Sequence, residues 1–360
     1  MTLDYVTNEE VVQAARKKLS QGPWDYLVGG SESETTLRRN RQAFDRIAFR
    51  PRVLTDVSDI DTSTEFLGHK LKLPILLAPV GSLQTFHPDA AAASARAAAE
   101  CGIMHVVSSV TEPGLEATAA AAPGPKVFQL YIRGDQAWVD EHLTRIKAAG
   151  YVALCITVDT AVSSRRERPM LTRYGAATGQ PSARTGIANA AGVTWDTVMG
   201  YKQQIGLPLM LKGIGTAEDA QIAVDRGVDV IWVSNHGGRQ LDHSLGSMDV
   251  LPEIVKVAKG KAKIVVDGGV NRGSDVLKAL AMGADVVACG RMQAYGLAAA
   301  GAEGVCHVLE IMEGEMRSAM GLMGVSKLSQ LNASYVTPAE PVLLSHEQSA
   351  WVNMPGGRIG

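Results

Sequence analysis

The segment DVIWVSNHGGRQLD, residues 229–242, decides the fold. Its first half is an uninterrupted run of β-branched and aromatic residues, the mark of a strand buried on both faces. Its second half sets a histidine, two glycines and an arginine on the turn that follows. Such a strand has an apolar body and a chemically active end. Seven other runs share the plan: PILLAPV (74–80), IMHVVSS (103–109), KVFQLY (126–131), YVALCITVD (151–159), PLMLKG (208–213), KIVVDGG (263–269) and DVVACG (285–290). Segments of helical period follow them, such as DAAAASARAAAE (89–100) and AEDAQIAVDRG (217–227). Eight β-then-α units predict a closed (β/α)8 TIM barrel. An open doubly wound sheet is the alternative, but no GxGxxG follows the first strand.

Outward from these units, the whole of residues 1–360 reads as one domain with a barrel core over about 74–325. Residues 1–73 form a preface with one or two helices. The tail, 332–360, is poor in helical pattern and rich in proline and serine, and is expected to wrap or fray. One long connection after the fourth strand, roughly 168–195, is rich in Gly, Ala, Thr and Ser, which predicts a mobile loop over the barrel mouth.

Composition narrows the function. A chain of 360 residues that is 46% hydrophobic buries a large core, and its formal net charge of -2, with both signs scattered, provides no field for nucleic acid or anionic lipid. Small-molecule partners are expected. No apolar run approaches the roughly 20 residues that span a bilayer, and no charged-then-apolar leader opens the chain, so the protein reads as soluble and cytoplasmic. Its four cysteines, Cys101, Cys155, Cys289 and Cys306, are far apart and lack CxxC spacing, as structural thiols do. No metal site is expected.

The polar residues collect at the C-terminal ends of the strands: Gly81, Ser108, Gln129 with Tyr131, Thr157 with Asp159, Lys212, Ser234 with His236, Asp267, and Gly290 with Arg291. In a barrel those ends share the face that carries the active site. GGVNRG (268–273) and CGRM (289–292) place glycine amides beside Arg272 and Arg291, where such barrels hold phosphate. Lys212 reads either as half of a structural ion pair or as a cation that stabilises an anion on a cofactor. Arg166 and Arg239 come from different loops, and guanidinium forks suit a carboxylate. His236 is a base near neutral pH, with Asp159 placed to orient it. Together these groups read as proton abstraction from a small acid beside a phosphorylated cofactor.

The motifs SNHGGRQLD, TVDT…RRE, FQLY, LKG and DGG…GR, in this order from about Tyr5 to Leu331, resemble the FMN-dependent α-hydroxy acid oxidase and dehydrogenase family. The resemblance implies oxidation of an (S)-2-hydroxy acid to the 2-oxo acid with FMN as cofactor. It makes His236 the base with Asp159 behind it, Arg166 and Arg239 the carboxylate clamp assisted by Tyr26, and Tyr131 the partner of the substrate hydroxyl. It seats the flavin on Pro79, Val80 and Gly81, with Ser108, Gln129, Thr157 and Ser234 around the ring, and sets Lys212 against the negative charge of its reduced form. Asp267 takes ribityl hydroxyls, and Gly268, Gly269, Gly290 and Arg291 take the phosphate. It also implies a homo-oligomer, a tetramer or octamer. Oxygen, quinone and cytochrome remain open as final acceptors, and so does hydride versus carbanion transfer.

Departures from the family pattern bear on both ends of the site. Asn271 stands where the family has arginine, and Arg272 either compensates or faces away. Ala161 and Ser164 replace the usual proline and glycine. Val110, Ser163 and Gly81 stand where short-chain glycolate oxidases carry larger residues, so an aryl side chain, as in mandelate, is expected. The competing functions are a type 2 isopentenyl diphosphate isomerase and a catalytically idle flavin-binding barrel.

Overall fold

The computed structural model describes residues 3–175, 190–342, 344–346 and 348–352. Eight parallel strands, Ile75–Leu77, Met104–Ser108, Lys126–Leu130, Ala153–Thr157, Leu209–Ile214, Val230–Val233, Lys263–Val266 and Val286–Cys289, form a closed barrel in chain order. The eighth pairs with the first through Val287 opposite Ile75, which closes the ring. The TIM barrel expected from the sequence is the fold observed.

Side chains alternate across each strand, and this divides the apolar residues into two cores. Leu76, Val106, Val127, Cys155, Met210, Trp232, Val265 and Ala288 pack together inside the barrel. Their neighbours Leu77, Val107, Phe128, Ile156, Leu211 and Val233 belong to the core shared with the outer helices. A hairpin, Thr64–Phe66 paired with His69–Leu71, adds Phe66 and Leu71 to the inner core.

The preface holds three helices rather than one or two: Asn8–Lys18, Gln21–Val28 and Thr35–Asp45. The second begins with Gln-Gly-Pro, which reads as a turn. Proline in a first helical turn removes no intrahelical hydrogen bond, so the helix forms. The tail wraps as far as it is described. Val336–Pro338 pairs antiparallel with Ile47–Phe49, Ser345 Oγ donates to Asp45 at 2.8 Å, and Trp351 is 5% exposed. Of the long connection, a short helix at Glu167–Leu171 and a 3-10 turn at Ala190–Gly192 are seen, while the expected mobile segment, 176–189, lies outside the described residues. Among the described residues no helix is long and apolar enough to cross a membrane.

Candidate active site

The inward-facing alternation of the inner core continues at the upper strand ends, where it delivers polar side chains. Ser108, Gln129, Thr157, Lys212, Ser234 and Asp267 each lie two residues beyond an inner-core residue and are buried. Ser108 Oγ donates to Gln129 Oε1 at 3.1 Å. Gln129 Nε2 and Thr157 Oγ1 have no hydrogen-bond partner among the described residues. A buried polar atom left so costs about 1–3 kcal/mol, so two such atoms at one barrel end call for a ligand. Lys212 Nζ lies 3.0 Å from Ser234 Oγ and 3.6 Å from Asp267. Asp267 also accepts from Ser234 Oγ at 2.6 Å and Trp232 Nε1 at 3.1 Å. Burial pulls the Lys212 pKa down, but Asp267 and Asp159 outweigh it and keep the ammonium charged.

Above this layer opens a cavity of about 580 Å³ bordered by Tyr26, Pro79, Val80, Gly81, Val110, Tyr131, Ser163, Arg166, Lys212, His236, Arg239 and Asp267. His236 sits at φ 60°, followed by Gly237 and Gly238 at 64° and 76°, a left-handed run that aims the imidazole inward. A Cβ at Gly238 would lie 2.6 Å from the backbone of Leu37, so only glycine permits the preface helix to close on this turn. His236 Nδ1 lies 3.1 and 3.3 Å from the two oxygens of Asp159, and Nε2 lies 3.4 Å from the Tyr131 hydroxyl. Burial and the Lys212 charge lower the His236 pKa against the opposing pull of Asp159, so the ring is neutral at neutral pH. Burial works to raise the Asp159 carboxyl, but His236 and Lys212 outweigh it and hold it below the usual range. Burial pushes the Tyr131 phenol up to about 12, leaving it a donor.

Both expected clamp arginines border this cavity. Arg166 Nε donates to Ser164 Oγ and to the Arg239 carbonyl, each at 3.1 Å, and Nη2 donates to Gln240 Oε1 at 3.2 Å. Ser164, where glycine is usual, therefore supports the arginine it precedes. Arg239 lies over the Tyr26 ring and donates to the carbonyls of Tyr26 at 2.6 Å and Gly29 at 2.9 Å. These carbonyls close the helix Gln21–Val28, whose negative dipole end offsets the crowding of like charges. Arg291 uses the same helix end, donating to Leu27 and Gly29, and also to the Gly237 carbonyl. Arg166→Met and Arg239→Met should each weaken binding of simple carboxylate inhibitors by roughly 1.5–3 kcal/mol, the range for a charge-assisted hydrogen bond, as measured by titration of the protein's visible spectrum.

Gly268, Gly269, Asn271 and Gly290 also border the cavity, together with Arg41 and Arg291. Gly269 has φ 87°, and a Cβ there would stand 2.7 Å from the Asn40 carbonyl of the third preface helix. Arg272 does not join this border: its guanidinium pairs with Glu315 at 2.6 Å and donates to the Ala350 carbonyl at 3.1 Å. Asn271 and Arg272 are consecutive just before the helix Gly273–Ala281, yet Asn271 borders the cavity while Arg272 turns to Glu315. The cation beside Asn271 that the sequence reading missed is Arg41. It forms a two-pronged buried ion pair with Asp275 at 2.7 and 2.8 Å and donates to the Gly269 carbonyl.

The chain matches the family model for FMN-dependent dehydrogenases over residues 15–338. It is 40% identical to an L-lactate oxidase of Nostoc sp., over 91% of this chain and 96% of that one, and 40% identical to glycolate oxidase 1 of Zea mays, over 92% and 95%. A solved mandelate oxidase with (S)-4-hydroxymandelic acid superposes with a TM-score of 0.87 at 36% identity, covering 94% of this chain and all of that one. The chain belongs to the FMN-dependent α-hydroxy acid oxidase family.

As a member of that family it is an FMN oxidoreductase, and its residues suit the cofactor. Gln129 and Thr157 offer unpaired polar atoms at the strand ends. Gly268, Gly269, Gly290 and the guanidiniums of Arg41 and Arg291 also border the cavity. Among the described residues, seven cationic side chains border this enzyme's cavity, from Arg41, Arg133, Arg165, Arg166, Arg239, Arg291 and Lys212, against one carboxylate, that of Asp267. Such an excess of positive charge favours anionic ligands despite the chain's slightly negative total. Arg41, Phe86, Arg133 and Tyr174 also border the cavity but carry no local signal; Arg41, in TTLRRNRQAFD, reads as one more charge on a solvated helix face.

Proposed function

We propose that this enzyme oxidises an (S)-2-hydroxy acid with a large, aryl-type side chain to the 2-oxo acid, with His236 as base and oxygen as final acceptor. The observation that carries the reading is the neutral His236, backed by Asp159 at 3.1 Å and facing Tyr131, in a cavity that Arg166 and Arg239 also border. Arg166 and Arg239 hold the substrate carboxylate and so fix the hydroxyl-bearing carbon before the imidazole. Tyr131, still protonated, donates to the substrate oxygen. His236 Nε2 takes a proton, and Asp159 stabilises the resulting imidazolium through Nδ1. Lys212 keeps a fixed positive charge beside the strand ends. Ser108, Gln129, Thr157 and Ser234 would hold the FMN ring system, and Gly268, Gly269, Asn271, Gly290 and Arg291 its phosphate. The bound cofactor would supply the two-electron acceptor, with oxygen reduced to hydrogen peroxide.

The substrate class rests on volume. Gly81 and Val110 both border the cavity and pack against one another, since a Cβ at Gly81 would meet Val110 Cγ2 at 2.7 Å. An isopropyl group and a bare α-carbon here, with Ser163 across the mouth, leave room for a ring. The likeness to a mandelate oxidase solved with (S)-mandelic acid agrees with this reading. Anaerobic mixing with mandelate, lactate and glycolate should bleach the flavin fastest with mandelate, and admission of air should restore the colour. A flavin that no 2-hydroxy acid bleaches would instead mean an idle barrel. Val110→Trp should cost mandelate more than the ~1–3 kcal/mol of ordinary overpacking and leave lactate little changed. If the wild type prefers lactate, or if tryptophan depresses both substrates equally, the aryl reading is wrong.

A further inference from the structure

Two of the four thiols that are remote in sequence meet in the fold. Cys101 ends the helix Ala90–Glu100, and its backbone N–H donates to the Ala97 carbonyl at 2.9 Å. Cys306 lies on the last long helix, Arg291–Met323, and its Sγ approaches the same carbonyl oxygen at 3.6 Å. One carbonyl oxygen thus lies within reach of both residues, which sets the two cysteines side by side between the helices. Neither is in a disulfide. The pair is asymmetric, for Cys101 is half-buried whereas Cys306 is buried. The neighbouring Cys101 thiol, burial and the Glu100 carboxylate hold the Cys306 thiol protonated far above its usual range.

We propose that Cys101 and Cys306 are a peroxide-oxidised dithiol that closes to a disulfide between these two helices. Exposure directs the first step to Cys101, the one of the two that peroxide can reach. Its thiolate attacks peroxide, a sulfur–oxygen bond forms, the oxygen–oxygen bond breaks, and the leaving hydroxide takes up a proton to become water. The Cys306 sulfur then attacks the sulfenic acid, losing its proton as the sulfur–sulfur bond forms and a second water leaves. Two thiols lose two electrons in all, and one hydrogen peroxide becomes two waters. That the enzyme itself supplies the peroxide rests on the oxidase reading above; the dithiol chemistry does not.

The test uses reduced holoenzyme freed of reductant and treated with excess hydrogen peroxide, then denatured, alkylated with N-ethylmaleimide and digested. Two of the four thiols should escape alkylation, and one peptide pair joining Cys101 to Cys306 should appear and vanish on reduction. Cys155 and Cys289, buried in barrel strands with their thiols pushed up to about 12 by burial, should remain alkylatable and serve as internal controls. In Cys306→Ser the linkage should be lost and Cys101 should be trapped as a sulfenic adduct by dimedone. Four alkylated thiols after peroxide, or oxidation of Cys101 with Cys306 left free, overturns the proposal. A parallel incubation with mandelate in air, with and without catalase, separates the two readings. Linkage with added peroxide but none during turnover counts against oxygen as acceptor and leaves the dithiol standing.

Discussion

His236→Gln lowers the rate of flavin reduction by ~10²–10⁴-fold, the usual span for loss of a general base, while the protein remains yellow. Glutamine approximates the imidazole's size but takes no proton, and the His236 ring approaches Asp159 and Tyr131, while the contact of His236 with Ser234 is made by its backbone N–H and survives the substitution. Stopped-flow reduction with a 2-hydroxy acid, alongside FMN content after gel filtration, checks both halves. Near-normal reduction removes His236 from the mechanism. The pH profile carries a second check. The base works only when deprotonated and its pKa lies below the ordinary 6.5, so the wild-type rate should be level through neutral pH and fall only as the medium is acidified past that value. In Asp159→Asn the negative charge that raises the imidazole pKa is lost, so the acid limb should move to lower pH even as the plateau drops.

Asp275→Asn should destabilise the fold by about 3–5 kcal/mol, the range for breaking one side of a buried pair. The side chains of Arg41 and Asp275 are 4% and 2% exposed, so neither charge has water to fall back on. Asp275 also accepts the backbone N–H groups of Asn271 and Arg272, both at 3.0 Å, and so ties the turn proposed for phosphate to the preface helix. Burial would raise its pKa, but Arg41 outweighs burial and holds it low. A carboxyl lowered on folding stabilises above its unfolded pKa, about 3.9, and that stability drains away as pH falls through the folded value. The wild type should therefore lose stability over that acid window and the variant should lose less. Urea midpoints at neutral pH and near pH 3.5 measure both effects.

The barrel was legible because its strands are buried on both faces, and such strands read as apolar runs whatever surrounds them. All eight were found, and closure followed from their number. The polar strand ends were legible for a related reason: Lys212 or Asp267 at the end of such a run has no bland explanation once seven others do the same. What the sequence hid lies across long separations. Arg41 looks solvated until the fold sets Asp275 against it, and the second preface helix hid behind Gly-Pro. The direction of Arg272 was undecidable because one residue reverses a side chain on a turn, and its partner Glu315 lies on another helix. Cys101 and Cys306 read as unrelated structural thiols for the same cause.

The Gly29 carbonyl accepts from Arg239 at 2.9 Å and from Arg291 at 3.0 Å, two arginines that border the same cavity from different loops. One oxygen with two lone pairs thus serves two donors. A ligand that draws either guanidinium away leaves that oxygen wholly to the other. The free energies of binding one ligand at Arg239 and another at Arg291 are then not separate quantities. By reciprocity, the factor by which a bound carboxylate changes FMN affinity equals the factor by which FMN changes carboxylate affinity. An inhibitor constant measured on cofactor-depleted protein would therefore describe a different molecule from the one that turns over.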